Sequence, residues 1–302
     1  MKKEQKKLAI IFICYNCGPD IAANILDIKN MDIGQASIQF IVVDNASSDD
    51  SINIISSLNL DNIKIIKNKN NYGFAKACNQ GLLDVDADYY LLLNPDIKLF
   101  KDSLSNLLKF ATDYPSAGIW GGVTINGDGV LDSKNAWREP SLWGLICWAF
   151  FLTRFFSSIQ KFTPDQYINA NWELANQVDS ISGCFFLIDS SLWKKLNGFD
   201  ERFFMYSEEI DLCNRARKLG AQPMVTNQAI IMHYGSGTIT SDNKLNYLYK
   251  SKLIYFKKHW SYGKFVTARI VMFIAVFLRS LSFGFDNGSW MRLLSNMRAW
   301  EI

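Results

Sequence analysis

Apolar residues in the first 115 positions occur in short, continuous runs that are separated by polar segments. Four runs predict buried β-strands, at residues 8–15, 38–43, 63–67 and 88–93. Segments of helical character follow them, at residues 20–30, 50–58, 74–84 and 101–113. Strands that alternate with helices are typical of an α/β fold with a parallel central sheet. In such a sheet, functional groups are expected just beyond the carboxyl ends of the strands.

This alternation stops near residue 115. Four glycines predict turns, at Gly121, Gly122, Gly127 and Gly129, and residues 141–162 form an insertion rich in aromatic side chains. Two later strands are predicted at residues 182–189 and 224–231, with helical segments at 191–196, 208–219, 244–260 and 265–300. Ser207 is placed to cap the helix over 208–219, and Gly220 to end it.

The net charge of +3 over 302 residues hides an uneven distribution. Residues 241–302 contain ten Lys and Arg but three Asp and Glu, whereas acidic residues are in excess over residues 1–240. A basic tail on a mildly acidic body indicates an anionic partner for the tail, and not a protein that coats nucleic acid. With 49% hydrophobic residues and so low a net charge, the chain does not have the composition of a disordered protein.

Two apolar segments predict contact with a membrane surface, although neither has the ~18 uncharged apolar residues of a spanning helix. Residues 141–153 are apolar and aromatic before Arg154, and residues 265–285 contain Arg269 and Arg279 beside a short apolar run. Arginines that flank such a run favour a helix lying in the interface. A helix docked on the protein's own core, or the face of a dimer, is the alternative.

The N-terminus and the cysteines favour a cytosolic protein. The run LAIIFICY is short and is not followed by a small-residue cleavage site, so it predicts a first strand and not a signal peptide. The six cysteines lie mostly in apolar runs, as expected for buried, reduced thiols. Cys14 and Cys17 form a single C-x-x-C without the second pair that a zinc site needs, and we interpret them as two side chains at a strand end.

Two aspartates follow predicted strands. Asp44 comes directly after a buried strand, where its carboxylate could accept hydrogen bonds from the N–H groups of a pyrimidine base or could simply cap a helix. Asn94-Pro95-Asp96 follows the strand at 88–93, and the proline stiffens this turn. Asp96 then projects where a divalent ion beside a diphosphate would lie, because oxygen ligands and phosphates suit Mg²⁺ and Mn²⁺. An ordinary turn aspartate is the alternative.

Further acids crowd the start of the predicted helix 208–219, at Glu208, Glu209 and Asp211. The helix dipole favours anions there and keeps a general base ionised, whereas repulsion between like charges raises the pKa values. Asp211 and Arg215 have the i,i+4 spacing of a structural ion pair.

The chain contains two histidines. His233 lies between an apolar strand and a glycine-rich turn, where it could bind a metal or a diphosphate, and His259 is assigned to the surface or an interface. The absence of G-x-G-x-x-G and of G-x-x-x-x-G-K-[ST] argues against a dinucleotide-binding fold and a P-loop kinase. A nucleotidyltransferase would need a glycine-rich basic segment near the first strand, where Tyr15-Asn16-Cys17-Gly18 stands instead.

Seven segments of residues 8–240 together resemble the family-2 inverting glycosyltransferases of the GT-A fold. They are the Tyr15-Asn16 turn, VVDNASSDDS (42–51), NKNNYGFAKACNQG (68–81), LLLNPD (91–96), SGCFFLID (182–189), GFDERFFMYSEEIDLCNRARKLG (198–220) and IIMHYGSGT (230–238). The similarity is strongest to bacterial rhamnosyltransferases of polysaccharide assembly that use dTDP-L-rhamnose. It implies a Rossmann-like, mainly parallel sheet flanked by helices in a catalytic domain over residues 1–240, followed by a basic, apolar helical extension over 241–302.

The resemblance implies a nucleotide-sugar site formed by the first three loops. Asp44, with Tyr15 and Asn45, would hold the nucleobase, and Asn16 lies in the same turn as Tyr15. Two residues of the N-x-G-F turn would line the nucleotide pocket, Asn71 and Gly73.

The same resemblance implies the groups that act on the diphosphate and on the acceptor. Asp96 stands for the second acid of the family's D-x-D motif, in which Asn94 replaces the first. Asp96 and His233 would bind Mg²⁺ or Mn²⁺ there. Glu208 and Glu209 match the family's acidic catalytic pair, and by position Glu209 is the base.

The activity implied is the inverting transfer of a sugar to a saccharide hydroxyl, with rhamnose favoured by the Asn-Pro-Asp turn. The acceptor of such enzymes is usually carried on a polyprenyl diphosphate at the cytoplasmic face of the membrane. Residues 141–156 and 241–302 would contact that surface, although the C-terminal helices could equally form a homodimer interface. The alternatives are a UDP-hexose or UDP-galactofuranose donor and, outside enzymes, a membrane-surface binding module.

Overall fold

A computed structural model describes residues 5–34, 36–132, 135–168, 172, 174–233, 241–281 and 287–300. The four predicted N-terminal strands are present as β1 (Lys7–Cys14), β2 (Ser37–Asp44), β3 (Ile63–Lys67) and β4 (Tyr89–Leu93). The predicted helices between and after them are α1 (Gly18–Lys29), α2 (Ser51–Ser56), α3 (Phe74–Leu82) and α4 (Ser103–Asp113). Strands β1, β2, β3 and β4 pair in parallel, which confirms the predicted α/β class.

The rest of the chain, from residue 97 onward, contributes strands of two to ten residues and further helices. Its strands are β5 (Ile97–Leu99), β6 (Ile119–Ile125), β7 (Ala136–Trp137), β8 (Asn176–Gln177), β9 (Ser180–Ile181), β10 (Phe185–Asp189) and β11 (Met224–His233). Its helices are α5 (Leu142–Ala149), α6 (Leu152–Phe155), α7 (Ser190–Lys195), α8 (Glu208–Lys218), α9 (Ser241–His259), α10 (Tyr262–Leu281) and α11 (Asn287–Ala299). Short 3₁₀ turns lie at Pro115–Ala117 and Gln160–Phe162.

Among the described residues, nine strands form one sheet in the order β3-β2-β1-β4-β10-β6-β11-β5, with β8 paired to β11. Strand β10 runs antiparallel between β4 and β6, whereas β6 and β11 are parallel. Strands β7 and β9 form a separate two-stranded sheet. Because β1 pairs in parallel with both β2 and β4, the carboxyl ends of these three strands lie side by side at one end of the sheet, as expected for a ligand site.

Alternate residues of the central strands face two separate apolar cores. On one face Ile10 and Phe12 of β1 pack with the apolar sides of α1, α2 and α4. On the other face Ile11 of β1 packs in a core that contains buried residues of α3, α7 and α8, together with α9, α10 and α11. A strand buried on both sides reads as a continuous apolar run, which is why the sequence identified β1 and β2 without ambiguity.

The C-terminal helices share a core with the body of the protein. Tyr255 and Phe256 of α9 belong to the same buried cluster as Leu212 of α8. Helix α10 packs along α5 of the aromatic insertion, and α11 packs on α9 and α10. The division of the chain at residue 240 stays a prediction, since the residues just before α9 lie outside the described part.

The turn predicted at Gly121 and Gly122 is wrong. Gly121 and Gly122 lie within β6 and not in a turn. A Cβ at Gly122 would come within 2.0 Å of the carbonyl oxygen of Ala229 on β11. Glycine is needed there for close packing of two backbones. Within the range 265–300, predicted as helical, the structure describes the helices α10 and α11, and residues 282–286 lie outside the described part.

Two basic residues assigned to surfaces are buried instead. The side chain of His259 is 5% exposed, and its Nε2 lies 2.8 Å from Oδ1 of Asp211. Arg279 is 8% exposed and donates hydrogen bonds to the carbonyl oxygens of Trp148 and Ala149 at the end of α5. Its guanidinium also stacks over the Trp148 ring at 3.9 Å. Arg279 therefore joins α10 to α5 and does not flank an interfacial segment.

The cysteines are free thiols, as the sequence indicates. Cys14 and Cys17 stand at the end of β1, where the Cys17 thiol donates a hydrogen bond to the Cys14 sulfur at 3.8 Å, and they form no disulfide. In the part of the chain that the structure describes, no helix is both long and apolar enough to cross a membrane.

Candidate active site

The loops after β1 and β2 lie side by side at the carboxyl ends of these strands. Parallel pairing places Cys14 opposite Asp44, so the Tyr15-Asn16 turn adjoins the loop that follows β2. The side-chain oxygen of Asn16 accepts a hydrogen bond from the backbone N–H of Ser48, and the Asn16 N–H donates to Oγ of Ser47. Tyr15 remains 41% exposed. Its ring is available to a ligand, while Asn16 fixes the loop.

Asp44 and Asn45 are both buried, and their side chains differ in function. Asp44 accepts one hydrogen bond, from the N–H of Ser47 to its Oδ1. The Asn45 amide donates to the carbonyl oxygen of Gly73 and accepts from the Asn68 side chain, so it ties the loop after β2 to the turn before α3. Asn45 therefore supports the pocket from behind, and Asp44 keeps the acceptor capacity that a base N–H requires.

The Asn71–Gly73 turn needs glycine for two reasons. Gly73 has φ +83°, which is strained for a residue with a side chain, and a Cβ there would lie 2.3 Å from the carbonyl oxygen of Phe204. That carbonyl accepts a hydrogen bond from the N–H of Phe74 at 2.7 Å. The exposed Asn71 closes the turn, since its Oδ1 accepts from the Gly73 N–H. The hydrogen bond between Phe74 and Phe204 joins the turn before α3 to the segment that leads into α8.

Asp96 and His233 form the predicted pair. Pairing of β11 with β5 sets His233 opposite Ile97, next to Asp96, and His233 Nε2 lies 3.3 Å from Asp96 Oδ1. The ring is not oriented for a hydrogen bond, and Nε2 has no hydrogen-bond partner among the described residues. Burial alone would raise the pKa of Asp96, but His233 outweighs it and lowers that pKa. Asn94 lies just before, partly buried, with its N–H bound to the carbonyl oxygen of Cys184.

The donor set of Asp96 and His233 fits a divalent ion. An orphaned buried imidazole nitrogen beside an ionised carboxylate is a ligand arrangement that a cation would complete. Mg²⁺ and Mn²⁺ commonly take one or two protein ligands and fill the rest of their shell with phosphate oxygens and water. No group of three or more His, Cys, Asp or Glu suited to a metal is found in the described ranges, so a bound ion would depend on the diphosphate.

Glu208 and Glu209 occupy different environments at the start of α8. Glu208 is 5% exposed, and its Oε2 has no hydrogen-bond partner in the described part of the chain. Burial and the neighbouring Glu209 raise the pKa of Glu208 well above its ordinary value. Burial raises the pKa of Glu209 to about 7, against the lowering effect of backbone hydrogen bonds. Ser207 precedes them with φ +66° and makes no capping hydrogen bond from its side chain, unlike the predicted cap.

Glu209 lines a cavity of about 300 Å³. The wall is formed by the aromatic insertion, by the segment that enters α8 and by α9, and it contains neither Asp44 nor Asp96. Its aromatic members are Trp137, Trp148, Tyr206, Tyr255 and Phe256, and its charged members besides Glu209 are Arg138, Asp165 and Lys252. Glu209 is thus the acid of the pair that a ligand in this cavity can reach.

A buried network of charged and polar side chains holds α8 against α9. Asp211 has a fully buried side chain, and three nitrogen atoms of the described residues approach it: Arg215 Nε at 2.8 Å, Lys258 Nζ at 2.7 Å and His259 Nε2 at 2.8 Å. The predicted Asp211–Arg215 pair is confirmed. The contacts from α9 were missed, because a separation of more than 40 residues leaves no local signal.

Sequence reasoning also missed the cavity residues Asp165 and Lys252. Oδ1 of Asp165 accepts hydrogen bonds from the N–H and the hydroxyl of Ser141, which holds the turn 163–166 against the start of α5. Lys252 is one of several lysines on α9, and its sequence context does not distinguish it from the exposed ones. A helical-wheel comparison with the buried Tyr249 and Tyr255 could have placed it on the inner side.

The comparisons with known proteins agree with this architecture. The model of the family "Glycosyl transferase family 2" matches residues 9–195. The chain is 23% identical over 250 residues to an N-acetylglucosaminyl-diphospho-decaprenol L-rhamnosyltransferase of Mycobacterium tuberculosis, covering 75% of this chain and 76% of that one. It is 29% identical over 150 residues to the rhamnosyltransferase WbbL of Escherichia coli, covering 49% and 53% of the two chains.

Solved structures show the same fold at low sequence identity. The mannosyltransferase PcManGT of Pyrobaculum calidifontis, in complex with GDP-Man and Mn²⁺, superposes with a TM-score of 0.59 at 12% identity, over 99% of this chain and 82% of that one. TarS 1–349 of S. aureus, in complex with UDP, gives a TM-score of 0.53 at 14% identity, over 97% and 70%. The sheet and helices described above therefore form a GT-A fold, and the chain belongs to glycosyl transferase family 2 and is a glycosyltransferase.

Proposed function

We propose that this enzyme transfers L-rhamnose from dTDP-L-rhamnose, with inversion, to a hydroxyl of a lipid-linked saccharide in bacterial surface polysaccharide synthesis. The observation that carries the proposal is the position of Glu209, on a cavity wall and next to the loop that packs on Gly73 of the nucleotide side. A base between a nucleotide site and an acceptor cavity is what an inverting transfer requires. The rhamnosyltransferase relatives support the choice of sugar.

In this mechanism Glu209 removes the proton from the acceptor hydroxyl as the hydroxyl oxygen attacks the anomeric carbon, and the bond from that carbon to the phosphate oxygen breaks to release dTDP. A base with a pKa near the working pH is efficient, and the pKa of Glu209 is raised to about 7. Asp44, with Tyr15 beside it, orients the nucleobase, while Asn71 and Gly73 shape the pocket. Glu208 is buried and does not line the cavity, so it is not placed to take the proton of the acceptor.

Asp96 and His233 would hold a divalent ion, which would offset negative charge on the departing nucleoside diphosphate. Asn94, in place of a first acid, leaves this site with one fewer carboxylate than a D-x-D motif supplies. The Mn²⁺ complex of the mannosyltransferase PcManGT supports a metal in the same fold.

The donor is tested with a panel of sugar nucleotides, with and without Mg²⁺ or Mn²⁺, and a synthetic lipid-linked acceptor. We expect product with dTDP-L-rhamnose and little with UDP-hexoses. The solved neighbours bind UDP, UDP-GlcNAc and GDP-Man, so a UDP-hexose or UDP-galactofuranose donor is the competing proposal. Efficient transfer from a UDP-sugar, with none from dTDP-L-rhamnose, would overturn the assignment of rhamnose.

We also place the enzyme at the cytoplasmic face of the membrane, through the outer side of α10. That side presents an exposed apolar stripe at Ile270, Phe273, Ile274, Phe277 and Leu281. The aromatic insertion adds the exposed Phe150, Phe155 and Phe156. An apolar stripe on a basic segment is suited to anionic lipid headgroups. The acceptor of the M. tuberculosis relative is, by its name, a diphospho-decaprenol.

Deleting residues 262–302 would be a poor test of membrane binding, because Met272 and Val276 of α10 are fully buried in the core. The double substitution Phe273→Ser, Phe277→Ser changes the exposed stripe alone. It should abolish flotation with phosphatidylglycerol vesicles, whereas Leu26→Ser, Leu83→Ser at exposed sites elsewhere should not. A variant that still floats but changes from dimer to monomer in sedimentation would assign this stripe to a homodimer.

A further inference from the structure

The cavity at Glu209 contains a cation that the reaction described so far does not use. Lys252 projects into it from α9, and in the described part of the chain its ammonium makes no hydrogen bond or ion pair. The nearest groups are aromatic: the ammonium lies 5.9 Å from the centre of the Trp148 ring and 5.7 Å from that of Tyr249. These two rings attract the ammonium but accept no conventional hydrogen bond, so among the described residues its N–H donors remain for an anionic ligand.

The surrounding charges leave this ammonium poorly stabilised. Burial lowers the pKa of Lys252, Asp165 partly restores it, and the neighbouring Arg279 lowers it further. Asp165 is not a close counterion, because no ion pair joins it to Lys252 among the described residues, and its Oδ1 accepts hydrogen bonds from Ser141. Arg279 is occupied with the carbonyl oxygens at the end of α5. Of Lys252 and Arg279, Lys252 is therefore the cation that is left for a ligand, whereas Arg138 on the cavity wall stacks over the Tyr167 ring at 4.5 Å.

The cavity has the size and lining of a site for one saccharide unit. A volume of about 300 Å³ is at the lower end of the range for small-molecule sites. Aromatic rings offer flat apolar surfaces, and polar groups from Arg138, Thr163 and Gln166 stand between them. A ligand whose hydroxyl reaches Glu209 can thus place an attached anionic group at Lys252.

We propose that this cavity is the acceptor site and that Lys252 binds a phosphate group of the acceptor, which distinguishes a phosphate-linked sugar from a neutral one. The proposal rests on the proposed function, since it takes Glu209 as the base. It differs from binding of the donor diphosphate, which belongs at Asp96 and His233. A phosphate at Lys252 accepts charge-assisted hydrogen bonds from the ammonium in place of the water lost on burial.

The test is direct binding to two probes that share one sugar. One is N-acetylglucosamine joined through a diphosphate to a short alkyl chain, and the other is the alkyl N-acetylglucosaminide without phosphate. The wild-type enzyme, with dTDP present, should bind the diphosphate probe more tightly by about 10- to 100-fold, the range of one hydrogen bond to a charged group. Lys252→Met should lose this preference, and Lys252→Arg should keep it.

Lys250→Met is the matched control, because Lys250 is exposed on the same helix. It should bind both probes as the wild type does, and all variants should bind dTDP alone with unchanged affinity. Equal binding of the two probes by the wild type, or a preference that survives in Lys252→Met, would overturn the proposal. Weaker dTDP binding by Lys252→Met would instead assign the ammonium to the donor and likewise overturn it. Failure of the proposed function is a separate result, namely no rhamnosyl transfer in the donor panel.

Discussion

Replacing Glu209 by glutamine removes the proposed base and keeps the shape of the side chain. A general base contributes about 10²- to 10⁴-fold to rate, so Glu209→Gln should lower kcat by that factor. Binding of dTDP should not change, because Glu209 lines the acceptor cavity and not the loops at Asp44 and Gly73. Glu208→Gln should retain most activity, since the Glu208 side chain is buried and does not line the cavity.

The pH profile gives an independent measure of the same group. Only the deprotonated carboxylate accepts a proton, and burial raises the pKa of Glu209 to about 7. Below that pH, kcat/KM of the wild type should therefore fall about tenfold for each pH unit, and above it the rate should level off. In Glu209→Gln the residual rate should lose this dependence.

The assay is transfer to a lipid-linked acceptor at saturating donor, followed by chromatography of the product between pH 5.5 and 8.5. Nucleotide binding and thermal unfolding are measured on the same samples to show that the variant is folded. Glu201→Gln, at an exposed glutamate, is the matched control and should behave as the wild type. A fully active Glu209→Gln, or loss of activity in Glu208→Gln instead, would refute the assignment of the base.

Three further predictions concern stability. Burial raises the pKa of Glu208 in the folded state, so the wild type loses stability as pH rises above about 4.5. In urea unfolding, Glu208→Gln should therefore gain stability relative to the wild type between pH 5 and pH 8. An equal difference between the two proteins at both pH values would contradict this. Gly73→Ala should destabilise the protein by more than the ~1–2 kcal/mol that alanine costs in the left-handed conformation, and it should weaken dTDP binding. Gly129 also has a positive φ but has open space around it, so Gly129→Ala should cost that amount at most and bind dTDP normally. Asp211→Asn should lower the free energy of unfolding by about 3–5 kcal/mol, because it removes the charge at the centre of a buried network. Asp113→Asn, in the exposed pair with Lys109, should lower it by about 1 kcal/mol or less. Similar losses in the two variants would show that the network is not stabilising.

The N-terminal half was predictable because its signals are local. A strand covered on both faces, such as β1, must be apolar throughout, and each helix start or turn is encoded within a few residues. The second half was predicted less well. Gly121 and Gly122 serve close backbone packing inside β6, and a glycine pair in sequence looks the same whether it turns or packs.

The candidate site divides in the same way. The sequence by itself determined the family and the placement of Asp44, Asp96 and Glu209 after a strand or at a helix start, since these residues stand in short motifs. Only the tertiary structure decided that Glu209 faces a cavity while Glu208 is buried, and that Lys252 enters this cavity from α9. Adjacent residues at the start of a helix point in different directions, and side chains more than 40 residues apart meet only when the chain packs. Local pattern therefore specifies the motifs, and packing specifies which of their side chains can reach a ligand.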